Sequence, residues 1–232
     1  MSAWTHVNCN FRLADYNELT DEDIYKVFGK QLLWGEKFNR DVNYLPIGSE
    51  GSLYINIFRG NKYLNISVFG DLRDYEYFDE IGDWFNKCCN SFGIKQAYCQ
   101  VIGSGGFGEN FECQKLVSNE IFKVNISFRI DCSPEYQYIK EELIGKCPYS
   151  EEMNINIWEN PDESCLASTT LVMCGDFDLN AGVDFNMRVN KWFNDSLEKF
   201  NIRQAFCQIN YANEYSKVHT NSVTFQHFKQ RG

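Results

Sequence analysis

Ile94-Lys95-Gln96-Ala97-Tyr98-Cys99-Gln100-Val101 returns, with only conservative changes, as Ile202-Arg203-Gln204-Ala205-Phe206-Cys207-Gln208-Ile209. An echo of this kind bears on architecture before any single residue is read. It extends backwards in both halves. Trp84-Phe85-Asn86 matches Trp192-Phe193-Asn194, and Gly70-Asp71 matches Gly175-Asp176. Ile55-Asn56-Ile57-Phe58 matches Ile155-Asn156-Ile157-Trp158, and Val7-Asn8-Cys9-Asn10-Phe11-Arg12 matches Val124-Asn125-Ile126-Ser127-Phe128-Arg129. Segments repeated in one order imply two copies of one small fold, with loops of altered length between the shared elements.

The periodicities give each copy its elements. Val7, Cys9, Phe11 and Leu13 alternate with His6, Asn8, Asn10 and Arg12, which predicts a strand with one apolar face. Thr20 followed by Asp21, Glu22 and Asp23 marks a helix start, with an acidic first turn suited to the helix dipole. Residues 34–52 read as a long loop, far shorter in the second copy and therefore the expected place for copy-specific function. Two alternating strands, 53–59 and 63–69, meet at Gly60-Asn61 as a hairpin. A helix over 75–92 and a last strand complete the unit. The second copy follows with a strand at 122–130, a helix behind Ser133-Pro134, strands at 153–158 and 167–174, a helix over 183–200 and a strand at 204–210.

This βαββαβ order predicts the α+β class, as a tandem duplication of a ferredoxin-like unit with antiparallel sheets and helices on one face. The expected boundaries are 1–103 for copy one, 104–119 for a Gly-rich linker, 120–211 for copy two, and 212–232 for a tail or edge strand.

The chain has 232 residues, a formal charge of −10, and 44% hydrophobic and 16% aromatic residues. Each half can therefore bury a core, and the acidity argues against direct nucleic-acid binding, which needs a basic stripe. It suits a cytoplasmic protein, or one that docks on a basic partner. The N-terminal residues lack the basic and apolar regions of a signal peptide, and no run is long enough to span a membrane. The ten cysteines show no metal-clip spacing, and Cys9, Cys99 and Cys207 fall at inward strand positions as free, small hydrophobes. A reduced compartment, with no metal and no cofactor, is the expectation.

Gly103-Ser104-Gly105-Gly106-Phe107-Gly108 spells a nucleotide-loop pattern, but no helix follows, and it sits where a linker belongs. Catalytic constellations are thin: His6, His219 and His227 lie near the termini and none repeats. Asp71 with Asp74, and Asp176 with Asp178, read as helix-capping acids ahead of a cation site or an acid–base pair. A binding role is favoured over an enzyme.

The sheet face opposite the core is the candidate site. Copy one displays Asn8, Asn10, Arg12, Asn56, Phe58, Gln96, Tyr98 and Gln100; copy two displays Asn125, Ser127, Arg129, Asn156, Trp158, Gln204, Phe206 and Gln208. With helices on the other side, this face is expected to be open, and aromatics on an open face signal contact. Three uses compete: the faces pair with each other or with a second copy of the chain, they stack bases, or they bind a partner protein or small ligand through Phe58, Tyr98, Trp158 and Phe206.

Trp4-Thr5-His6-Val7, Gly48-Ser49-Glu50-Gly51-Ser52-Leu53, Phe69-Gly70-Asp71-Leu72-Arg73-Asp74-Tyr75 and Ile157-Trp158-Glu159-Asn160-Pro161-Asp162 resemble phrases of short bacteriophage- and prophage-encoded accessory proteins. The resemblance covers the first copy best and transfers no site. It implies a viral protein that binds a host defence component, such as a CRISPR effector, or sequesters its signal nucleotide. The expectation is a non-enzymatic protein that occludes a macromolecular partner. The alternatives are a sequestering protein or hydrolase for a small ligand in the cleft between copies, and a self-associating structural protein.

Overall fold

A computed structural model describes residues 3–13, 18–60, 63–114, 121–131, 136–159, 168–178, 184–200, 202–212 and 218–226. The chain divides into two units, Met1–Lys115 and Leu116–Gly232. Each is α+β, with one five-stranded antiparallel sheet and two α-helices among the described residues.

In the first unit β1 (Trp4–Leu13) is followed by α1 (Asp21–Phe28), the two-residue pair β2 (Ile47–Gly48) and β3 (Gly51–Ser52), and β4 (Tyr54–Arg59). Then come β5 (Leu64–Arg73), α2 (Phe78–Ser91), β6 (Ile94–Gly103) and β7 (Gly108–Gln114). The sheet order is β4-β5-β1-β6-β7. β1 lies in the middle, paired from Trp4↔Arg73 to Leu13↔Leu64 on one side and from Thr5↔Gly103 to Leu13↔Ile94 on the other. Its apolar residues Val7, Cys9, Phe11 and Leu13 share a core with Ile24 and Phe28 of α1 and Ile81, Phe85 and Cys88 of α2. The Phe11 ring lies 4.8 Å from Phe28 and 5.1 Å from Phe85, centroid to centroid.

The helix start at Thr20 is as expected. Its hydroxyl accepts from the Asp23 N–H and the Asp23 carboxylate accepts from the Thr20 N–H, a reciprocal capping box. Gly29 ends α1 at φ +102°, and a side chain there would run into the Tyr44 backbone, so the position is closed to other residues.

The second unit runs β8 (Ile121–Asp131), α3 (Tyr136–Lys146), one 3-10 turn (Ser150–Glu152), β9 (Asn154–Trp158), β10 (Ser168–Asp178), α4 (Phe185–Lys199), β11 (Ile202–Ala212) and β12 (Val218–Gln226). Its sheet order, β9-β10-β8-β11-β12, repeats that of the first unit. Phe128 of β8 meets Trp192 at 5.7 Å and Phe193 at 5.2 Å, as Phe11 meets Trp84 and Phe85. The Ser133-Pro134 cap and the Asn160-Pro161-Asp162 turn lie outside the described residues.

Two expectations need correction, and one open choice is decided. The Gly-rich stretch is a hairpin tip: the Gly103 N–H donates to the Phe107 carbonyl (2.8 Å) and the Gly106 N–H to the Gly103 carbonyl (2.9 Å). The chain then returns along β6 as β7, paired from Ile102↔Gly108 to Gln96↔Gln114, where a linker was expected. Glycines that permit a flexible linker equally permit a tight reversal, and Phe111 and Cys113 decide for the reversal by packing on the core. In the second unit, of the two options for the last segment, Val218–Gln226 takes the edge-strand one, lying along β11 as β12. Finally, Cys9 and Cys99 are joined in a disulfide across β1 and β6, where free thiols were expected. Their registry as direct cross-strand partners brings them together, and that registry is not visible before the strands are paired. Among the described residues no helix is long and apolar enough to cross a membrane.

Candidate functional site

The pleat puts the expected face residues together, but not in solvent. Asn8, Asn10, Arg12, Gln96, Tyr98 and Gln100 are at most 2% exposed, and so are Asn125, Arg129, Gln204, Phe206 and Gln208. Asn156 is also buried; Asn56, Phe58 and Trp158, on the edge strands β4 and β9, are part-buried. The expectation of an open face is thus overturned. The alternation in β1 separates an apolar face from a polar one, and both are buried.

The polar layer is held by cross-strand rungs that recur in both units. Arg12 Nη1 donates to Gln96 Oε1 at 3.2 Å, and Arg129 Nη1 donates to Gln204 Oε1 at 3.0 Å. Ser67 Oγ donates to Asn10 Oδ1 (3.0 Å), Asn125 Nδ2 donates to Gln208 Oε1 (3.3 Å), and the Arg12 guanidinium lies 3.9 Å over the Tyr63 ring. Buried polar groups are tolerated when paired in this way. The buried residues of these faces are spent on structure, whereas Asn56, Phe58 and Trp158 at the edges keep part of their surface in solvent.

His6, expected on a solvated face, is also buried, with Nδ1 2.6 Å from Asp71 Oδ1. Asp74 takes the left-handed conformation (φ +52°), where its N–H donates to the Ala3 carbonyl and its carboxylate accepts from Ser49 Oγ. Both acids therefore serve the end of β5. Tyr77 holds the N-cap of α2, without a side-chain cap.

Among the described residues, Tyr77, Phe107, Tyr138 and Met187 are exposed singly, whereas the copy-specific loop exposes three large apolar side chains together. Leu33, Trp34 and Phe38 are 53%, 80% and 58% exposed, within six residues of chain. The loop that carries them is nevertheless pinned. The Leu32 N–H donates to Ser52 Oγ at 2.6 Å, the Leu45 N–H to the Lys30 carbonyl at 3.0 Å, and the Leu53 N–H to the Pro46 carbonyl at 3.2 Å. Asn43 Nδ2 caps the end of α1 by donating to the Lys26 carbonyl at 3.0 Å. Leu32 and Leu45 are buried anchors, while the Leu33 N–H donates to Glu36 Oε2 at 3.0 Å and closes the tip. With the β2–β3 turn, the tip forms a half-open pocket of about 470 Å³ lined by Leu33, Trp34, Glu36, Phe38, Ile47 and Glu50 among others. Glu50 pairs with Arg73. The sequence reading singled out the segment but not its aromatics. The available signal was Trp34 and Phe38 standing outside any helical or strand period.

A second cavity, about 320 Å³, lies beside α3 and α4 and is lined by Lys146, Lys191, Trp192 and Lys199 together with Glu142 and Asp195. Its two acids are spent on the lysines, while Arg188, also in the lining, donates to the Tyr149 hydroxyl at 3.4 Å. Glu142 accepts from Lys146 at 2.5 Å and from Lys199 at 2.7 Å, which holds its carboxyl below the usual range, and Lys191 pairs with Asp195 at 3.1 Å.

No family model matches the chain, and no curated protein sequence matches it. A solved structure, the crystal structure of an unknown protein from Galdieria sulphuraria, is similar over 95% of this chain and 99% of that one, at 8% identity and a TM-score of 0.28.

Proposed function

We propose that this chain is a non-enzymatic binding protein that docks a partner through the Leu33–Phe38 loop of its first unit, aided by its acidic surface. The observation that carries the reading is three large apolar side chains held in solvent on a loop whose anchors are buried and hydrogen-bonded. Holding such a patch in water is unfavourable unless something covers it. The repeated strand order supports a scaffold made of two ferredoxin-like units, with the long loop inserted in only one. The bacteriophage-like phrases support a viral accessory role, in which the partner is a host defence component.

The test is capture from the lysate of the host cell by immobilised protein, compared with Trp34→Ala/Phe38→Ala. A partner retained by the parent and lost by the variant, at unchanged thermal unfolding, supports the reading. Equal capture by both, or turnover of a small molecule that survives the double substitution, overturns it.

A further inference from the structure

We propose that the cavity behind Trp34 takes an organic cation on an apolar stem, of the kind a lysine side chain or a free alkylamine presents. This rests on the reading of the loop as the contact surface and names the chemistry of the group it receives. Trp34, Phe38 and Leu33 supply apolar and aromatic walls, and the charged residues of the lining are Glu36 and Glu50, both acidic. Aromatic faces attract a cation through the ring quadrupole, and a nearby carboxylate adds a charge that a neutral ligand does not exploit. Arg73 neutralises Glu50, whereas Glu36 gives one oxygen to the neutral Leu33 N–H and keeps its charge, so Glu36 is the carboxylate that meets the ligand.

Size and order agree. A cavity of about 470 Å³ accommodates a short stem with its head group. The Leu32–Ser52 hydrogen bonds and the Leu33–Glu36 closure hold the walls in place before binding, which lowers the ordering cost. The chain's charge of −10 concentrates cations around it and repels anions.

The probes are butylammonium chloride, butanol, sodium butyrate, Nα-acetyl-lysine methylamide and its Nε-acetylated form, titrated while following the Trp34 indole N–H by NMR, assigned with Trp34→Ala. Butylammonium is expected to shift that resonance saturably, and butyrate not at all. Acetylation of the lysine nitrogen is expected to weaken binding at least tenfold. Glu36→Gln is expected to weaken it about two- to fivefold, and Trp34→Ala, titrated by calorimetry because it lacks the indole probe, to abolish it. Equal response to butylammonium and the lysine amide points to a free amine or lysine alike; response to the lysine amide alone points to a peptide-borne lysine. A butanol response as strong as that of butylammonium, or no ammonium response at all, overturns the proposal. If ammonium binding is absent while partner capture still depends on Trp34 and Phe38, only the ligand class falls. If ammonium binds and capture does not depend on them, the docking reading falls instead.

Discussion

Arg12 and Arg129 show at the residue scale what a buried charge demands. Each guanidinium donates to a glutamine on the neighbouring strand, and removing that acceptor leaves a charged donor short of a partner. Gln96→Ala and Gln204→Ala should each cost about 1.5–3 kcal/mol, read from urea midpoints; on a solvated face the cost would be near zero. The thiols offer a second residue-scale test. Burial pushes Cys147 from 9.0 up to about 12, and raises Cys88 and Cys207 likewise. The thiolate is the reactive form, so these three should resist iodoacetamide at pH 8 until the protein is unfolded. Cys9 and Cys99 should resist even then, until reduced, as a peptide mass map would show. The sign of the linkage follows from the raised value: the Cys147 contribution is whole below pH 9 and is lost as the pH climbs towards 12.

Among the elements, β7 carries the clearest test, because Gly82 of α2 lies beneath its Phe111. A β-carbon on Gly82 would come within 2.6 Å of the Phe111 ring. In a bare helix, glycine to alanine is stabilising by about 1 kcal/mol. With β7 packed on the helix, Gly82→Ala should instead destabilise the first unit by about 1–3 kcal/mol. A rise in the melting temperature would mean that residues 108–114 leave the helix free, as a linker would. The elements themselves were largely legible. Alternation located β1, β4, β5 and β6, and the acidic turn after Thr20 located α1, because side-chain period follows directly from backbone geometry. The edge strand β7 was harder to read: Phe111 and Cys113 alternate with Asn110, Glu112 and Gln114 as a strand requires, but Glu109 puts a charge at the next position on their face, and a Gly-rich stretch precedes it.

On the scale of the whole molecule, charge governs approach rather than fold. A chain of −10 should associate with a basic partner quickly at low salt, and the on-rate should fall at least tenfold between 20 and 300 mM NaCl while the off-rate changes little. Stopped-flow measurement with the captured partner checks this. A rate indifferent to salt would leave the apolar loop as the sole source of recognition.

The sequence by itself determined that strands and helices recur in one order, which residues point to the helix-backed core, and which loop belongs to one copy alone. Those properties are local: they depend on period, capping and turn chemistry between near neighbours. The fate of the amide-rich faces, the union of Cys9 with Cys99, and the exposure of Trp34 were decided only by the tertiary structure. Each depends on what a side chain meets across the sheet or from distant segments. An asparagine on a strand reads the same whether water or protein satisfies it.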